Sequence, residues 1–480
     1  MFVRIEATKT LRPVLTRIPA DLHTPLSVYL KLAADEEHSF LLESVEGGAT
    51  LARYSFIGAG PEFVAKGLRT SVVIDGGGRG ETMPIGLIEF LRDELGKFNI
   101  EPEAGLPSFT GGAIGYLGFP CAEWFEPSLA RPKGLDREFG MMMLFRSVVA
   151  FDHARQQILI ITNAEAGDNE SLAAAHDTNA RIREQIESSE LRVPRSEHLR
   201  KGVTSVTSNF TRKGFVDAVD RAKEYIAAGD CYQVVISQRF SRPTAAGPVS
   251  LYRAIRSLNP SPYMFLIKTP ERSIVGASPE MLVRVRDSQI HYRPIAGTRP
   301  RGIDEADDQR LADEMAADPK EVAEHQMLVD LGRNDVGRVS EYGSVRVERL
   351  MAVEKYSHVQ HLVSDVTGRL RAGLDRFDAL ASCFPAGTVS GAPKVRAIEI
   401  IRELEPDERS IYSGAVGHFD HAGNMDTCIA IRTIVLENGI AEVQAGAGIV
   451  ADSSPESEYQ ETVNKAAALL RAIEIAETEL

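Results

Sequence analysis

Two segments of the sequence carry pairs of glutamates at a spacing that could bind a metal ion. In residues 319–339 (PKEVAEHQMLVDLGRNDVGRV) and 457–477 (SEYQETVNKAAALLRAIEIAE), acidic and apolar residues recur every three or four positions, which predicts two amphipathic helices. The acid pairs are Glu321 with Glu324 and Glu458 with Glu461. Carboxylates aligned with an apolar helix face must be paired, protonated or metal-bound to offset the cost of desolvation.

The residue types of these pairs leave more than one interpretation open. Both segments could be ordinary solvated helix faces, with Glu461 and Lys465 forming an i,i+4 ion pair. A ligand set of oxygens without nearby His or Cys instead favours a hard cation such as Mg²⁺, bridging to an anionic substrate. The residues alone thus predict a magnesium-dependent enzyme that acts on an acid, and a hydrolase remains an alternative.

Charge and composition exclude several classes of partner. The formal net charge of −14 argues against a nucleic acid or an anionic membrane surface, and an anionic substrate would need local positive charge. No run approaches the roughly 18 apolar residues of a membrane helix, and the start MFVRIEATKTLRP has no signal-peptide pattern, so we expect the cytoplasm. The four cysteines form no CxxC pair, which argues against a disulfide framework.

The sequence predicts two domains, and the glutamate pairs lie in the second. Short strand-like runs and Gly-rich turns fill residues 38–160, whereas residues 188–209 are polar and weakly periodic, as linkers are. We therefore predict a β-rich N-terminal domain at 1–195 and a mixed catalytic domain at 196–480. The motif DGGGRG at residues 75–80 lacks the GK[ST] of a phosphate loop and is predicted to be a hairpin turn.

Twelve short runs carry the most specific signal, in this order: LLES (41–44), ARYSFIGAG (52–60), FTGGAIGYLGF (109–119), NPSPYMF (259–265), GASPEML (276–282), PIAGTRPRG (294–302), EHQMLVDLGRNDVGRV (324–339), HLVSDVTG (361–368), FPAGTVSGAPKVRA (384–397), IYSGAVG (411–417), CIAIRT (428–433) and QAGAGIV (444–450). Through them nearly the whole chain resembles the chorismate-utilising enzymes, and within these the large subunits that form anthranilate. The resemblance implies an α/β (α+β) fold with two lobes, β-sheets sandwiched and helices packed outside.

The resemblance also implies a reaction and a binding site. The reaction is chorismate plus ammonia to anthranilate plus pyruvate, with Glu324 and Glu461 holding Mg²⁺ and Glu321 and Glu458 supporting it through water. The metal ion would bind the ring carboxylate and so supply the local positive charge that an anionic substrate needs in a protein of negative net charge. The further substrate-binding residues implied are Gly297, Thr388, Tyr412, Arg432, Gly446, Gly448 and Lys465.

Three residues in matched runs are implied to serve the chemistry. Glu280, in the run SPE, matches the general acid toward the departing C4 hydroxyl, a role that needs a raised pKa. His361 and Thr298 would line the ring pocket, with His361 assisting the elimination. Without the resemblance, a lone His in an apolar segment is more often a core residue, and Glu280 could simply cap the strand that follows it.

Two positions distinguish the branches of the family by what they lack. Relatives that activate water carry a Lys where this chain has Gln233, and aminodeoxychorismate synthases typically carry a nucleophilic Lys where it has Ala296. Neither side chain can act as a base or nucleophile, so ammonia itself is expected to attack the ring. The leading alternative is an aminodeoxychorismate synthase subunit that lacks the usual Lys.

Ammonia must come from elsewhere, because no cysteine stands in the GxCxG-like context of a glutaminase. The resemblance implies a separate glutamine amidotransferase subunit, often in a heterotetramer. It also implies feedback inhibition by L-tryptophan at Glu43, Ser44, Pro262, Tyr263 and Met264. A non-catalytic amino-acid sensor on the same scaffold is disfavoured because all four glutamates are present.

Overall fold

The structure, a computed structural model, describes residues 8–44, 53–101, 103, 105–131, 137–191, 205–356 and 359–479. Its helices are α1 Pro25–Ala33, α2 Leu87–Gly96, α3 Ala122–Phe125, α4 Asn169–Glu187, α5 Arg212–Ala227, α6 Pro248–Leu258, α7 Glu305–Ala317, α8 Pro319–Val339, α9 Arg376–Cys383, α10 Lys394–Leu404 and α11 Pro455–Thr478. Short 3₁₀ helices span Phe119–Cys121, Pro127–Leu129 and Gly387–Val389.

The strands are β1 Lys9–Pro19, β2 Ser39–Glu43, β3 Tyr54–Ala59, β4 Phe63–Gly67, β5 Val72–Gly76, β6 Arg79–Met83, β7 Phe98–Ile100, β8 Gly112–Leu117, β9 Gly140–Phe145, β10 Ser147–Asp152, β11 Gln157–Glu165, β12 Thr207–Ser208, β13 Gln233–Pro243, β14 Tyr263–Lys268, β15 Arg272–Ser278, β16 Met281–Arg286, β17 Gln289–Tyr292, β18 Ile295–Pro300, β19 Arg346–Lys355, β20 Val359–Arg369, β21 Gly391–Ala392, β22 Ala415–Asp420, β23 Met425–Ile429, β24 Thr433–Glu437 and β25 Ile440–Ile449. The predicted hairpin turn at 75–80 is confirmed between β5 and β6.

The strands form two large sheets, each drawn from both halves of the chain. Sheet A has 13 strands in the order β12-β13-β25-β24-β15-β14-β2-β3-β10-β11-β1-β7, with β21 beside β13. Sheet B has 12 strands in the order β18-β20-β17-β16-β23-β22-β8-β9-β4-β5-β6, with β19 beside β20. The two halves join where β2 pairs antiparallel with β14 and β8 with β22. The boundary predicted at residue 195 lies outside the described residues, and both sheets extend across it.

Alternation along the strands explains why the sheets stack. In β9, Met141, Met143 and Phe145 join a cluster that contains residues of both sheets, whereas Met142 and Leu144 point into the cluster under the helices of the opposite face. Successive strand residues point to opposite faces, so a strand apolar at every position is buried on both sides. The outer face of sheet A is covered in turn by α1, α6 and α11. The predicted fold class, sandwiched sheets with helices outside, is confirmed.

The two glutamate-bearing helices form where the sequence predicts them, as α8 and α11. Asp318 caps α8 by accepting hydrogen bonds from the backbone N–H of Lys320 at 2.9 Å and of Glu321 at 3.4 Å, and Pro319 occupies its first turn. Helix α1 was not predicted, although Thr24 and Ser27 form a capping box there and Pro25 occupies the first helical position. None of the helices in the described part of the chain is long and apolar enough to span a membrane.

Candidate active site

Glutamates in the N-terminal halves of α8 and α11 lie close enough to act electrostatically on one another. Partial burial raises the pKa of Glu324 although the side chain stays solvent-accessible, and the charges of Glu321 and Glu461 raise it further. Burial likewise raises the pKa of Glu458, which the charge of Glu461 raises and that of Lys320 lowers. Acids from both helices therefore act on one another in one region. We call it the acid cleft, defined by Glu321, Glu324, Glu458 and Glu461.

Two of these glutamates already have basic partners. Glu321 accepts a hydrogen bond from Arg299 Nη1 at 2.9 Å, and the same guanidinium reaches Asp318 at 3.2 Å. Glu461 contacts Lys465 Nζ at 2.6 Å. Among the described residues, no three His, Cys, Asp or Glu side chains already converge as a metal site would require.

A cavity of 550 Å³ opens beside the acid cleft, lined by Arg432, Ser457, Gln460, Glu461, Asn464 and Lys465. Burial lowers the pKa of Arg432, while Tyr412 and Glu461 oppose that change. No carboxylate among the described residues lies within salt-bridge distance of its guanidinium. A partly buried cation without a protein counter-ion is suited to an anionic ligand.

Strand β25 forms one wall of the site with two glycines. Lys465 Nζ donates a hydrogen bond to Gly446 O at 3.0 Å. A Cβ at Gly446 would lie 2.8 Å from Tyr412 Oη, and a Cβ at Gly448 would lie 2.4 Å from Gln233 Nε2. Glycine at these positions lets both polar side chains lie directly against the strand.

Glu280 is a buried acid at the head of β16. Its carboxylate accepts a hydrogen bond from Thr388 Oγ1 at 3.0 Å and is only 7% exposed. Burial raises the pKa of Glu280 to about 8, against the opposing effects of Thr388 and Lys465. Glu280 is thus mostly protonated at neutral pH and can donate a proton.

A bulge in β18 fixes the ring of His361. Register with β20 shifts between Ala296 and Thr298, and the intervening Gly297 takes a φ of +64°. The carbonyl of Gly297 accepts a hydrogen bond from His361 Nδ1 at 2.8 Å, and Thr298 Oγ1 lies 3.1 Å from the same nitrogen. Since a carbonyl only accepts, Nδ1 carries the proton of the neutral ring and Nε2 is left unprotonated. Burial and the charge of Arg432 lower the pKa of His361, which favours that neutral ring.

These interactions connect the predicted residues into one region. Arg432 acts electrostatically on His361 and responds to Glu461, while Lys465 contacts Glu461 and acts on Glu280. Ala296 lies half-buried beside the bulge, opposite Leu362. Lys320, next to Glu321 in sequence, was not predicted, and neither was the pairing of Arg299 with Glu321.

A second cavity lies between the sheets. It measures 660 Å³, and all five residues of the predicted effector site, Glu43, Ser44, Pro262, Tyr263 and Met264, line it. We call it the inter-sheet pocket. Glu43 and Met264 face each other in the register of β2 and β14, which explains why two distant runs meet here.

Two carboxylates that line the inter-sheet pocket, those of Glu43 and Asp426, have partners in the protein. Glu43 accepts a hydrogen bond from Tyr252 Oη and lies 3.2 Å from Arg256 Nε. Tyr263 Oη donates to Asp426 at 3.1 Å, and Arg284 Nε donates to the same carboxylate at 2.8 Å. A further lining set was not predicted from the sequence: Arg53, Tyr54, Phe56, Arg284, His418 and Asp426.

Comparisons with known proteins agree with this architecture. The family model described as chorismate binding enzyme matches residues 39–471. Anthranilate synthase component 1 of Pseudomonas putida is 45% identical over 99% of this chain and 98% of that protein. The crystal structure of anthranilate synthase component I from Streptococcus pneumoniae TIGR4 superposes with a TM-score of 0.78 at 34% identity, over 95% of this chain and 99% of that one. The menaquinone-specific isochorismate synthase of Escherichia coli shares the fold, with a TM-score of 0.70 at 21% identity over 98% and 96% of the two chains. The chain belongs to the chorismate binding enzyme family, with anthranilate synthase component 1 proteins among its relatives.

Proposed function

We propose that this protein is the large subunit of an anthranilate synthase and converts chorismate and ammonia into anthranilate, pyruvate and water. Membership of the family and relatives that carry this name over nearly the whole chain support the activity. The observation that carries the proposal is the meeting of the neutral acid Glu280 with Arg432, Lys465 and the acid cleft in one region.

Substrate binding follows from the local charge. Chorismate carries two carboxylates, and long-range repulsion from a protein of net charge −14 must be offset locally. Arg432 presents a planar fork of donors without a carboxylate partner among the described residues, and Tyr412 lies beside it, so these two take the enolpyruvyl carboxylate. Lys465 and the backbone around Gly446 and Gly448 take the ring carboxylate.

The acid cleft fits a hard divalent cation. Its donors are carboxylate oxygens from two helices. Burial, and secondarily the charges of neighbouring glutamates, raise the pKa values of Glu324 and Glu458, and a bound cation would relieve that repulsion. Glu324 and Glu461 would hold Mg²⁺, with Glu321 and Glu458 in support. When bound, the ion supplies positive charge to the ring carboxylate.

Proton transfers use the two buried titratable groups. Ammonia forms a bond to C2 of the ring, the double bonds shift, and the C4 hydroxyl leaves as water after taking the proton of Glu280. In the second step, the ring loses its C2 proton to the unprotonated Nε2 of His361. The enolpyruvyl C–O bond breaks as the ring becomes aromatic, and the enolpyruvate takes up the proton held by His361 and leaves as pyruvate. The ammonium group formed at C2 gives one proton back to Glu280, which restores the acid. Thr298 lies beside His361 Nδ1 and orients the ring.

The nucleophile is free ammonia. Gln233, 6% exposed, has no basic lone pair at neutral pH with which to activate water. Ala296 offers no amine for a covalent intermediate, and its methyl group leaves room for a small external nucleophile. The two side chains therefore favour amination over hydration.

Ammonia is supplied by a separate glutamine amidotransferase subunit, in a heterotetramer in the cytoplasm. The four cysteines of this chain are all buried, so none is exposed as a glutaminase nucleophile would be. The component naming of the relatives supports a partner subunit.

L-tryptophan inhibits the enzyme from the inter-sheet pocket. Glu43 would receive the α-ammonium group, Ser44 would lie at its edge, and Pro262, Tyr263 and Met264 would enclose the indole. The volume of 660 Å³ is of the size that encloses small ligands. Tyr263 pairs with Ser278, two residues before Glu280, so ligand binding there can shift the balance between two arrangements of the catalytic acid.

One assay tests the proposed reaction. Purified protein is given chorismate, an ammonium salt and Mg²⁺, and anthranilate fluorescence and pyruvate are both followed, with and without EDTA. Equal amounts of both products, lost on chelation, are expected. An amino-cyclohexadiene that retains the enolpyruvyl group would indicate an aminodeoxychorismate synthase, and turnover that persists in EDTA would exclude the role assigned to Mg²⁺.

A further inference from the structure

We infer that Arg409 and Glu405 are positioning residues that fix the two arms of the substrate pocket, the one carrying Tyr412 and the one carrying Thr388. The inference rests on the proposed function, because the roles of Tyr412 and Thr388 are part of it. Neither Arg409 nor Glu405 lies in the cavity beside the acid cleft.

Arg409 and Glu405 form an ion pair entirely inside the protein. Their side chains are 0% and 3% exposed, and Arg409 Nη2 lies 2.6 Å from Glu405 Oε1. Arg409 Nε also donates to both carboxylate oxygens, at 3.2 and 3.0 Å. A buried ion pair gains little stability over apolar residues of equal volume, since desolvation offsets the attraction. Its contacts indicate a geometric role instead.

The remaining donors of Arg409 tie together three segments of the site. Nη1 donates to Val389 O at 2.7 Å and to Ser413 Oγ at 3.1 Å, and Nη2 donates to Val235 O at 2.8 Å. Val389 follows Thr388, Ser413 follows Tyr412, and Val235 lies two residues after Gln233. One planar cation thus connects three chain segments, each of which carries a residue assigned to the proposed site.

The Tyr412 arm shows why such an anchor is required. Ser413 adopts a φ of +68°, a left-handed conformation that is unfavourable for a residue with a side chain. Its hydroxyl is held by Arg409, whose guanidinium also lies over the ring of Tyr412 at 5.4 Å. Arg409 therefore fixes both the backbone turn and the ring that it presents.

Glu405 anchors Arg409 to sheet A. Its Oε1 accepts hydrogen bonds from the backbone N–H and the hydroxyl of Ser237 on β13, both at 2.8 Å. A Lys at position 409 would keep the charge but not the planar set of five donors, so it could not hold Val389, Ser413 and Glu405 together.

The test is Arg409→Lys, with Arg402→Lys as its matched control. Arg402 also pairs with a buried glutamate, Glu123, at 2.9 Å and donates to a carbonyl, but it contacts neither arm. For Arg409→Lys we expect KM for chorismate to rise at least roughly tenfold, with a smaller change in kcat. We also expect the alkaline limb of the pH profile to move upward, because a displaced Thr388 no longer lowers the pKa of Glu280. Arg402→Lys should change neither.

The wild-type protein is assayed in parallel with an ammonium salt, which distinguishes a failure of the proposed function from a failure of the positioning role. An inactive wild type would overturn the proposed function. An active wild type, with Arg409→Lys folded by its thermal melt yet unchanged in KM and pH limb, would overturn only the positioning role.

Ser413→Ala provides a second measurement should Arg409→Lys fail to fold. It removes one anchor of the Tyr412 arm and leaves the Thr388 arm intact, so KM should rise by roughly two- to fivefold with the alkaline limb unmoved. An unchanged KM in Ser413→Ala would then overturn the inference.

Discussion

The cavity beside the acid cleft and the inter-sheet pocket differ in the partners that the protein provides for three charged side chains, Arg432 in the first and Glu43 and Asp426 in the second. Beside the acid cleft, Arg432 has no carboxylate partner among the described residues, and Glu324 bears a raised pKa. In the inter-sheet pocket, Glu43 is matched by Tyr252 and Arg256, and Asp426 by Arg284. The proposed ligands differ in the same sense, since chorismate is a dianion and tryptophan a zwitterion. On the proposed assignments, the site for the dianion contains a cation without a carboxylate partner among the described residues, whereas two acids in the site for the zwitterion are paired with protein groups.

The largest test of this contrast is Glu280→Gln. An amide cannot supply the acidic proton, so kcat should fall roughly 10²- to 10⁴-fold while KM for chorismate stays close to that of the wild type. Steady-state anthranilate fluorescence measures both constants. Glu442→Gln, on β25 outside the cleft, serves as control. Full activity in Glu280→Gln would remove the acid from the mechanism.

Next in size is Arg432→Lys, which keeps the charge but replaces the planar fork by a single ammonium. KM for chorismate should rise by about tenfold or more, with a smaller effect on kcat. Arg471→Lys, in an exposed i,i+3 pair on α11, is the matched control. Equal KM values for the wild type and Arg432→Lys would show that the unpaired cation does not receive the substrate.

Glu43→Gln tests the tryptophan site proposed in the inter-sheet pocket. Loss of the negative charge should raise the tryptophan concentration for half-inhibition by at least about tenfold, because the ammonium group loses a charge-assisted hydrogen bond. Inhibition curves at fixed chorismate give this value. The exposed Glu187→Gln on α4 should leave the curve in place, and an unshifted curve in Glu43→Gln would place tryptophan elsewhere.

The smallest expected effect is on pH dependence. Glu280 acts only when protonated, so activity should be present below its pKa and be lost as pH rises through about 8. Thr388→Val removes a hydrogen bond that lowers this pKa, and the limb should therefore move upward, whereas Thr367→Val should not move it. A pH profile of kcat/KM provides the measurement. An alkaline limb unchanged by Thr388→Val would show that the hydrogen bond from Thr388 does not affect the pKa of the catalytic acid.

Local patterns in the sequence predicted elements well and their assembly less well. The helices at 319–339 and 457–477 follow from apolar periodicity, and the structure confirms them as Pro319–Val339 and Pro455–Thr478. Sheet membership is not local, however. Only the pairing of β2 with β14 and of β8 with β22 reveals that the two halves share both sheets.

The site shows the same division. Residues inside matched runs, such as Glu280 and Arg432, could be proposed from the resemblance. Arg409 could not, since a lone arginine in the run DERS gives no sign that all its donors are used inside the protein. The same holds for the pairing of Glu321 with Arg299, which depends on the bulge that turns β18 toward α8.

The strand order also governs how this chain can fold during synthesis. Strand β2 must wait for β14, more than two hundred residues later, and β13 must wait for β25 near the C-terminus. Such distant pairings make closure slow, and they leave strand edges unpaired on the ribosome until the last strand, β25, emerges. Expression of either half alone should consequently yield aggregated material, and co-expressed halves should recover activity only if they meet before aggregation.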